Sequence, residues 1–323
     1  MTLAQSELDS IQQMIQGANS IAVISHERPD GDAIGSLLAV VSAFQQQGKR
    51  VSAHMIDGLP GRYKFLPGSQ FVSETLPSEA DLWIFVDASD AERSGFPSEK
   101  FPETIDIQID HHPTNNRFAM VNVVDDQAAS TTQILFDLLP ALGFELDTDV
   151  ATNLLVGLIT DTIGFRTHSV TPEVLEIAAE LMRKGASMAK IYEKVLSERS
   201  FVSVHYWGKG LNRIERLNGL VWTSLTLEDR SEVGYPGSDD ADLVNLLSRI
   251  EEAHIALVFV EQSESSVKVS WRSSPDFDVS QTASSFGGGG HRQAAGATIE
   301  GSLAEVQGRV LAATEALLVQ QEA

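Results

Sequence analysis

A short segment near the amino terminus passes from strand to loop to helix, and it constrains the fold more than any other feature of the sequence. Residues 21–25 form an apolar run typical of a buried strand, and a loop with Pro29 and Gly31 follows. From Ala33 onward the apolar residues recur at helical spacing, and residues 50–55 supply a second strand. This strand-helix-strand unit places its two strands parallel in one sheet.

Further strands and helices follow along the first half of the chain. The predicted strands are residues 82–86 and 104–109, and the predicted helices are residues 6–17, 131–139 and 172–184. Residues 153–159 form another apolar segment. This order predicts the α/β class, with a doubly wound, mainly parallel sheet.

The character of the sequence changes in the last third of the chain. Residues 187–215 form a mixed helical segment, which we interpret as a connector between domains. Beyond it the sequence predicts strands at 221–225, 255–260 and 267–272, helices at 240–252 and 302–320, and a glycine-rich loop at 287–290. We therefore predict a first domain over residues 1–186, the helical connector over 187–215 and a smaller α/β domain over 216–323.

Three side chains that commonly bind metals lie in the loop after the first strand: His26, Asp30 and Asp32. In an open parallel sheet, ligands bind at the carboxyl ends of the strands, which is where this loop begins. Two aspartates two residues apart can reach two neighbouring cations, and the histidine adds a nitrogen ligand to one of them. The alternative is a polar loop that caps a helix, with Asp32 as the N-cap residue.

Other predicted elements also end in acidic residues or histidines. They are Asp87 after residues 82–86, Asp110, His111 and His112 after residues 104–109, and Asp161 after residues 153–159. At one edge of a sheet these carboxylates would repel one another unless cations were bound; the alternative is a set of acidic loops without metal. Oxygen ligands with some imidazole favour manganese or magnesium over structural zinc. Two ions that share one carboxylate would use all these ligands, and such a pair typically hydrolyses phosphate esters.

The overall charge limits the partners that we expect. The chain has 23 Lys and Arg residues against 45 Asp and Glu residues, a net charge of -22, which disfavours binding of long nucleic acid. Any nucleic-acid partner should therefore be short. The absence of cysteine excludes disulfides, thiolate zinc sites and a cysteine nucleophile. The amino terminus lacks a basic region before an apolar run, and no run approaches about 18 apolar residues, so we expect a cytoplasmic protein without a membrane partner.

Taken in order and spacing, these motifs resemble those of the DHH phosphoesterase superfamily. The matching segments are Asp30-Gly31-Asp32, Val86-Asp87, Asp110-His111-His112 and Thr160-Asp161-Thr162, and the segments Gly287–His291 and Ala294–Gly296 resemble the signature of the associated DHHA1 domain. Within this superfamily the chain is similar to the NrnA type. That resemblance implies a hydrolase that cleaves short oligoribonucleotides (nanoRNA) to mononucleotides and dephosphorylates 3'-phosphoadenosine 5'-phosphate.

The resemblance also implies roles for the individual residues. One manganese ion would be held by His26, Asp30 and Asp87, and the other by Asp32, Asp87, His111 and Asp161, with Asp87 bridging; magnesium is the alternative metal. Asp110 would orient a ligand histidine through a hydrogen bond. His112 would contact the scissile phosphate or donate a proton to the leaving oxygen.

The smaller domain offers groups that can hold the rest of a substrate. Consecutive glycines, including Gly288, Gly289 and Gly290, allow backbone N–H groups to approach a phosphate, although a glycine run can also be a flexible linker. His291 follows them directly. Arg272 can bind a terminal phosphate through two parallel hydrogen bonds, or it can be an ordinary surface arginine. We expect the active site in a cleft between the two domains.

One segment departs from the family pattern. The family often has glycine directly after the position of Thr162, whereas this chain continues Ile163-Gly164-Phe165-Arg166. The turn is therefore expected to differ, and the assignment of Arg166 as a phosphate contact depends on it.

Three other functions share some or all of these motifs. A phosphodiesterase for cyclic dinucleotides or their linear products would use the same residues, and a RecJ-type exonuclease would differ in acting on long strands. A nucleotide-binding module without catalytic activity is the alternative from another class. The sequence leaves open the order of substrate preference, the cleavage polarity, a homodimer and the physiological metal.

Overall fold

The computed structural model describes residues 5–321, except for the side chains of His291 and of residues 319–321. The chain forms two compact units that divide between Glu198 and Arg199. Among the described residues, no helix combines the length and apolar character needed to cross a membrane.

The described part of the first unit is built on a six-stranded, fully parallel sheet. Its strands are β1 (Ser20–Ile24), β2 (Arg50–His54), β3 (Val72–Ser73), β4 (Leu82–Val86), β5 (Ile105–Asp110) and β6 (Ala119–Val124). Their spatial order is 3-2-1-4-5-6, so the order reverses between β1 and β4. Such a reversal opens a crevice at the carboxyl ends of the two central strands. The predicted doubly wound parallel sheet is confirmed.

Helices and loops cover the two faces of this sheet. The helices are α1 (Gln5–Gly17), α2 (Gly31–Gln46), α3 (Thr131–Ala141), α4 (Thr148–Asp161), α5 (Pro172–Arg183) and α6 (Met188–Ile191), with a π-helical turn at Tyr192–Ser197. Apolar residues of α2, such as Leu37 and Leu38, pack with Leu154 of α4 in the main core. On the opposite face, Trp83 and Phe85 form a smaller core beneath loop residues.

Two glycines bring α2 and α4 close together. A Cβ atom added to Gly35 would lie 2.5 Å from the carbonyl oxygen of Asn153 and 3.0 Å from the nitrogen of Gly157. A Cβ atom added to Gly157 would lie 2.4 Å from Oδ1 of Asp32. Because distances this short are repulsive, the approach of the two helices requires glycine at both positions.

The described part of the second unit contains a mixed sheet with helices on both faces. Its strands are β7 (Glu215–Leu217), β8 (Leu220–Leu225), β9 (Ile255–Ser263), β10 (Ser266–Ser273), β11 (Gly289–His291) and β12 (Ala294–Glu300), and its helices are α7 (Phe201–Leu211), α8 (Leu227–Val233), α9 (Leu243–Leu247), α10 (Val279–Ser285) and α11 (Leu303–Gln321). The spatial order is 11-12-10-9-8-7, and β8 and β9 pair in parallel while the other neighbours are antiparallel.

Two predictions for this unit are wrong. The helix predicted over 240–252 is limited to Leu243–Leu247, and it begins late because Ala241 and Asp242 have φ values of 51° and 68°, which no right-handed helix contains. The glycine run predicted as a loop includes β11, which pairs with β12. The division between the two units falls within residues 187–215, which form α6, the π-helical turn and α7.

Candidate metal centre

The structure brings the acidic and imidazole side chains predicted at the edge of the sheet into one site. They are His26, Asp30, Asp32, Asp87, Asp110, His111, His112 and Asp161. His26 and Asp87 follow β1 and β4, the two strands at which the order of the sheet reverses. Asp161 reaches the site differently from the expectation of a common strand edge, because it is the last residue of helix α4.

Two groups of ligand atoms meet at Asp87. In one group, Nε2 of His26 lies 3.6 Å from Oδ2 of Asp87 and 4.0 Å from Oδ1 of Asp30. In the other, Nε2 of His111 lies 3.8 Å from Oδ1 of Asp87. Asp161 and Asp32 complete this second group. Nε2 of His111 lies 3.4 Å from Oδ2 of Asp161 and 3.9 Å from Oδ2 of Asp32. The two oxygens of Asp87 therefore face different groups.

The imidazole rings are oriented through their second nitrogen. Nδ1 of His26 lies 2.7 Å from the carbonyl oxygen of Glu27, and Nδ1 of His111 lies 3.2 Å from that of Ala128. A carbonyl oxygen only accepts hydrogen bonds, so Nδ1 carries the proton in both rings. Nε2 then faces the carboxylates, which is the usual arrangement of histidine ligands to metals.

The loop after β1 is fixed by two different helices. Oδ1 of Asp30 accepts hydrogen bonds from the backbone nitrogens of Asp32 and Ala33, both at 3.0 Å, so Asp30 is the N-cap of α2. The alternative in which Asp32 caps this helix is therefore wrong. The carboxylate of Asp32 instead accepts from α3: from the backbone nitrogens of Thr131 at 2.6 Å and Thr132 at 3.1 Å, and from the Thr132 hydroxyl at 2.9 Å.

Asp87 is held in an uncommon backbone conformation. Its φ of 56° lies in the left-handed region, which costs a residue with a side chain on the order of 1–2 kcal/mol. Its backbone nitrogen donates to the carbonyl oxygen of Ile109 at 2.9 Å, and Oδ1 accepts from the Thr131 hydroxyl at 2.8 Å. Backbone strain of this kind is concentrated at functional sites.

A chain of hydrogen bonds orients His112. Nδ1 of His112 lies 2.7 Å from Oδ1 of Asp110, and the side-chain nitrogen of Asn115 donates to Oδ2 of Asp110 at 2.5 Å. The predicted pairing of Asp110 was with a ligand histidine, whereas here its partner is His112. Asn115 was not predicted, because an asparagine in a polar turn gives no periodic signal in the sequence.

The charges of the site are unbalanced without a cation. Burial, and then repulsion by Asp87 and Asp161, raise the pKa of Asp32 well above its usual value, and burial with repulsion by Asp30 and Asp87 does the same for Asp161. Burial lowers the pKa of His26, but the hydrogen bond and charge of Asp87 outweigh it and raise the pKa to about 9.

The pKa of His112 is raised and that of Asp87 is lowered, so both side chains favour their charged forms, unlike Asp32 and Asp161. Burial lowers the pKa of His112, but the hydrogen bond that it donates to Asp110 and the charge of Asp87 outweigh this effect and raise the pKa to about 9. Burial would raise the pKa of Asp87, but the hydrogen bond with His26 and the charge of His112 lower it. Because protons supply the positive charge here, divalent cations that replaced them would fit this oxygen-rich ligand set.

The side chains predicted to bind substrate are held by other contacts. Nε of the largely buried Arg272 donates to Oδ1 of Asn245 at 2.8 Å, and its Nη1 donates to the carbonyl oxygen of Trp271 at 2.9 Å. Nε of Arg166 donates to the carbonyl oxygen of Ile163 at 2.7 Å. These bonds leave the remaining guanidinium nitrogens of both arginines for other partners.

The glycine run has a structural reason of its own. A Cβ atom on Gly288 would lie 2.1 Å from the carbonyl oxygen of Gly296, and one on Gly290 would lie 2.5 Å from that of Ala294. Gly290 also has a φ of 141°. The close pairing of β11 with β12 therefore requires glycines, whether or not a phosphate binds Gly289 and its neighbours. His291 ends β11, and its side chain lies outside the described part of the structure.

The turn after Asp161 has an uncommon backbone conformation. Ile163, Gly164 and Phe165 have φ values of 50°, 70° and 60°, so three successive residues lie in the left-handed region. Ile163 is half exposed. A β-branched residue in this conformation is rare and strained.

Comparison with known proteins agrees with this geometry. The model of the DHH family, N-terminal domain, matches residues 20–158, and that of the DHHA1 domain matches residues 232–320. The bifunctional oligoribonuclease and PAP phosphatase NrnA of Thermus thermophilus is 37% identical over 298 residues, which cover 91% of this chain and 88% of that protein. The protein of the same description from Mycoplasma pneumoniae is 25% identical over 296 residues, covering 88% of this chain and 89% of that protein.

A solved structure extends the similarity to the whole chain. An exopolyphosphatase-related protein from Bacteroides fragilis is 26% identical and superimposes with a TM-score of 0.90, covering 99% of this chain and 98% of that one.

Proposed function

This chain belongs to the DHH family of phosphoesterases, and we propose that it is a manganese-dependent hydrolase of short oligoribonucleotides and of 3'-phosphoadenosine 5'-phosphate. The products would be mononucleotides and AMP. Relatives at 37% and 25% identity carry the names of these two activities and are covered over nearly their full length.

The observation that supports this proposal most strongly is the position of Asp87 between two groups of ligand atoms. His26 and Asp30 form one group, with Oδ2 of Asp87 near its imidazole, while Oδ1 of Asp87 is near His111 of the other group. Asp87 is thus placed to bridge two ions, and Asp32 and Asp161 complete the second set. Two manganese ions bound here would activate a water molecule and stabilise the charge that develops on a phosphoryl group.

His112 supports the departure of the leaving group. Its Nδ1 is engaged by Asp110, so Nε2 is the nitrogen that can donate to an oxygen of the substrate. Hydrolysis adds water across the phosphorus–oxygen bond, and the leaving oxygen takes a proton as that bond breaks. A histidine fixed in this way is a suitable general acid for that step.

Arg272, the glycine run, His291 and Arg166 remain proposed contacts for the phosphates of the substrate. The excess of acidic residues favours short substrates, because long strands would be repelled over much of the surface. In Arg272, Asn245 holds Nε and the carbonyl oxygen of Trp271 holds Nη1, so Nη2 is the guanidinium nitrogen that we propose for a phosphate contact.

The test is hydrolysis by protein stripped with a chelator and then supplied with manganese. The substrates are RNA of two to ten nucleotides labelled at the 5' or 3' end, 3'-phosphoadenosine 5'-phosphate, a cyclic dinucleotide and a long single strand. We expect manganese-dependent conversion of the short RNA and the bisphosphate, and a loss of at least about 100-fold in Asp87→Asn. Asp126→Asn is the matched control, because Asp126 is an exposed aspartate of the same unit. This variant should retain full activity.

Each of the other outcomes identifies a different function. Preference for the cyclic dinucleotide would indicate a cyclic-dinucleotide phosphodiesterase, and digestion of the long strand a RecJ-type exonuclease. No manganese-dependent hydrolysis of any substrate would refute the proposal, as would an Asp87→Asn variant as active as the parent.

A further inference from the structure

Thr131 donates hydrogen bonds to two carboxylates of the metal centre at once. Its backbone nitrogen donates to Oδ2 of Asp32 at 2.6 Å, and its hydroxyl donates to Oδ1 of Asp87 at 2.8 Å. We propose that Thr131 is a positioning residue whose hydroxyl holds the Asp87 carboxylate in the orientation that bridges the two ions. This inference rests on the proposed function, since it takes Asp87 as a ligand of both ions.

Helix capping does not account for the hydroxyl of Thr131. The N-cap of α3 is Ser130, whose side chain accepts from the backbone nitrogen of Gln133 at 3.1 Å. The same serine hydroxyl lies 2.8 Å from the hydroxyl of Thr132. The first turn of the helix is therefore closed by Ser130, and the hydroxyl of Thr131 is directed to Asp87 instead.

The bond from Thr131 determines which oxygen of Asp87 faces which group. Oδ2 lies 3.6 Å from Nε2 of His26, whereas Oδ1 lies 3.8 Å from Nε2 of His111 and 3.7 Å from Nδ1 of His112. Rotation of the carboxylate about its terminal bond would exchange or misdirect these oxygens, because that torsion has a broad, shallow profile. The hydroxyl at 2.8 Å is closer to Oδ1 than either ring is, so it restricts this rotation before any cation binds.

The same oxygen can serve the hydroxyl and a cation together. A carboxylate oxygen has about two lone-pair directions, so Oδ1 can accept from Thr131 through one and ligate through the other. Both side chains are almost completely buried, with exposures of 0% for Thr131 and 1% for Asp87, so water does not compete for this hydrogen bond. Removal of the hydroxyl would take away the shorter of the contacts with Thr131 and His26 that restrict rotation of this buried carboxylate.

The test compares Thr131→Val, which removes the hydroxyl at constant shape, with Thr131→Ser, which retains it. Thr223→Val is the matched control, because Thr223 is a buried threonine of the second unit whose hydroxyl donates to the carbonyl of Gly210 at 2.6 Å. Calorimetric titration of the stripped proteins with manganese measures affinity, and electron paramagnetic resonance of the loaded proteins detects magnetic coupling between two bridged ions. If Thr131→Val does not fold in the absence of metal, Thr131→Ala removes the same hydroxyl with a smaller side chain.

We expect manganese affinity to fall 10- to 100-fold in Thr131→Val, with a weaker coupling signal, and to return to within about threefold of the parent in Thr131→Ser. Thr223→Val should bind as the parent does. Titration of the parent first tests whether it binds two manganese ions. If folded Thr131→Val then has the manganese affinity and the magnetic coupling of the parent, the role of Thr131 is overturned and the proposed function stays intact. A parent protein that binds no manganese would overturn both.

Discussion

Replacing Asp161 by asparagine should stabilise the metal-free protein and weaken its response to manganese. Asp161 is the last residue of α4, where the helix dipole disfavours a negative charge, and it shares a ligand group with Asp32. Burial and neighbouring acids raise the pKa of Asp161, so its cost to the folded state appears as the pH rises above the usual aspartate value of about 4. Asparagine keeps the shape and removes the charge.

The geometry sets the size of this effect. The ligand atoms of Asp32, His111 and Asp161 lie within 4.8 Å of one another, and like charges at that separation repel by about 3–4 kcal/mol at an effective dielectric constant near 20. The positive charges of His112 and His26 offset part of the repulsion on Asp161. We therefore expect a net gain of about 1–2 kcal/mol at pH 7, equivalent to about 2–8 °C in Tm for a unit of this size.

Thermal unfolding with chelator and with manganese provides the assay. At a free manganese concentration 100 times its Kd, binding stabilises the parent by about 2.7 kcal/mol, and the variant should gain much less because it has lost a ligand. The order of stability should therefore reverse: the variant unfolds at the higher temperature in chelator, and the parent does so in manganese. The advantage of the variant in chelator should shrink as the pH falls toward 4.

Asp149→Asn is the control on the same helix. Asp149 lies exposed in the first turn of α4, where the helix dipole favours an acidic residue. Its replacement should slightly lower stability under both conditions. The reasoning is refuted if Asp161→Asn is less stable than the parent in chelator at pH 7, or if manganese stabilises both proteins equally.

Three further predictions, which use four substitutions, test other parts of the structure. Ile163→Gly should raise the free energy of unfolding by about 1 kcal/mol, because glycine adopts a φ of 50° without strain. Gly164→Ala should lower it, because alanine is strained at a φ of 70°. Thermal unfolding measures both, and a lower stability of Ile163→Gly than of the parent would contradict this reasoning. Burial lowers the pKa of His54, so the free energy of unfolding of the parent should decrease as the pH falls below about 6.5. Urea titrations at several pH values should show that this decrease is absent in His54→Gln. Arg213→Met should cost about 1–3 kcal/mol in urea unfolding of the second unit, because it leaves the buried carboxylate of Asp229 without its partially exposed bidentate partner; an unchanged midpoint would show that the pair contributes nothing.

The parallel sheet was predictable because its central strands are continuous apolar runs. β1, β4 and β5 are buried along most of their length, and a residue of the candidate metal centre follows each within two positions. β6 was missed, since it is an edge strand that is only partly buried and alternates weakly. The segment before Asp161 was predictable as apolar but not as a helix, because a run of six apolar and small residues, 154–159, suits either structure.

The predicted ligand positions came together, whereas the hydrogen bonds that orient them could not be read from the sequence. Asn115 and Thr131 act across 5 and 44 positions of the chain on Asp110 and Asp87, and such contacts depend on tertiary structure. The glycine run shows the converse. Its sequence pattern favoured a phosphate-binding loop. The close contact of Gly288 with β12 shows that these glycines also serve strand packing, and the local sequence does not distinguish the two roles.

The close contact at Gly157 makes a residue without a side chain responsible for the spacing of a catalytic centre. Alanine is normally preferred over glycine within a helix, yet a methyl group here would occupy the space of the Asp32 carboxylate and of Thr132. Any side chain at position 157 would therefore displace the Asp32 carboxylate or push the two helices apart, even though an isolated helix would favour alanine there.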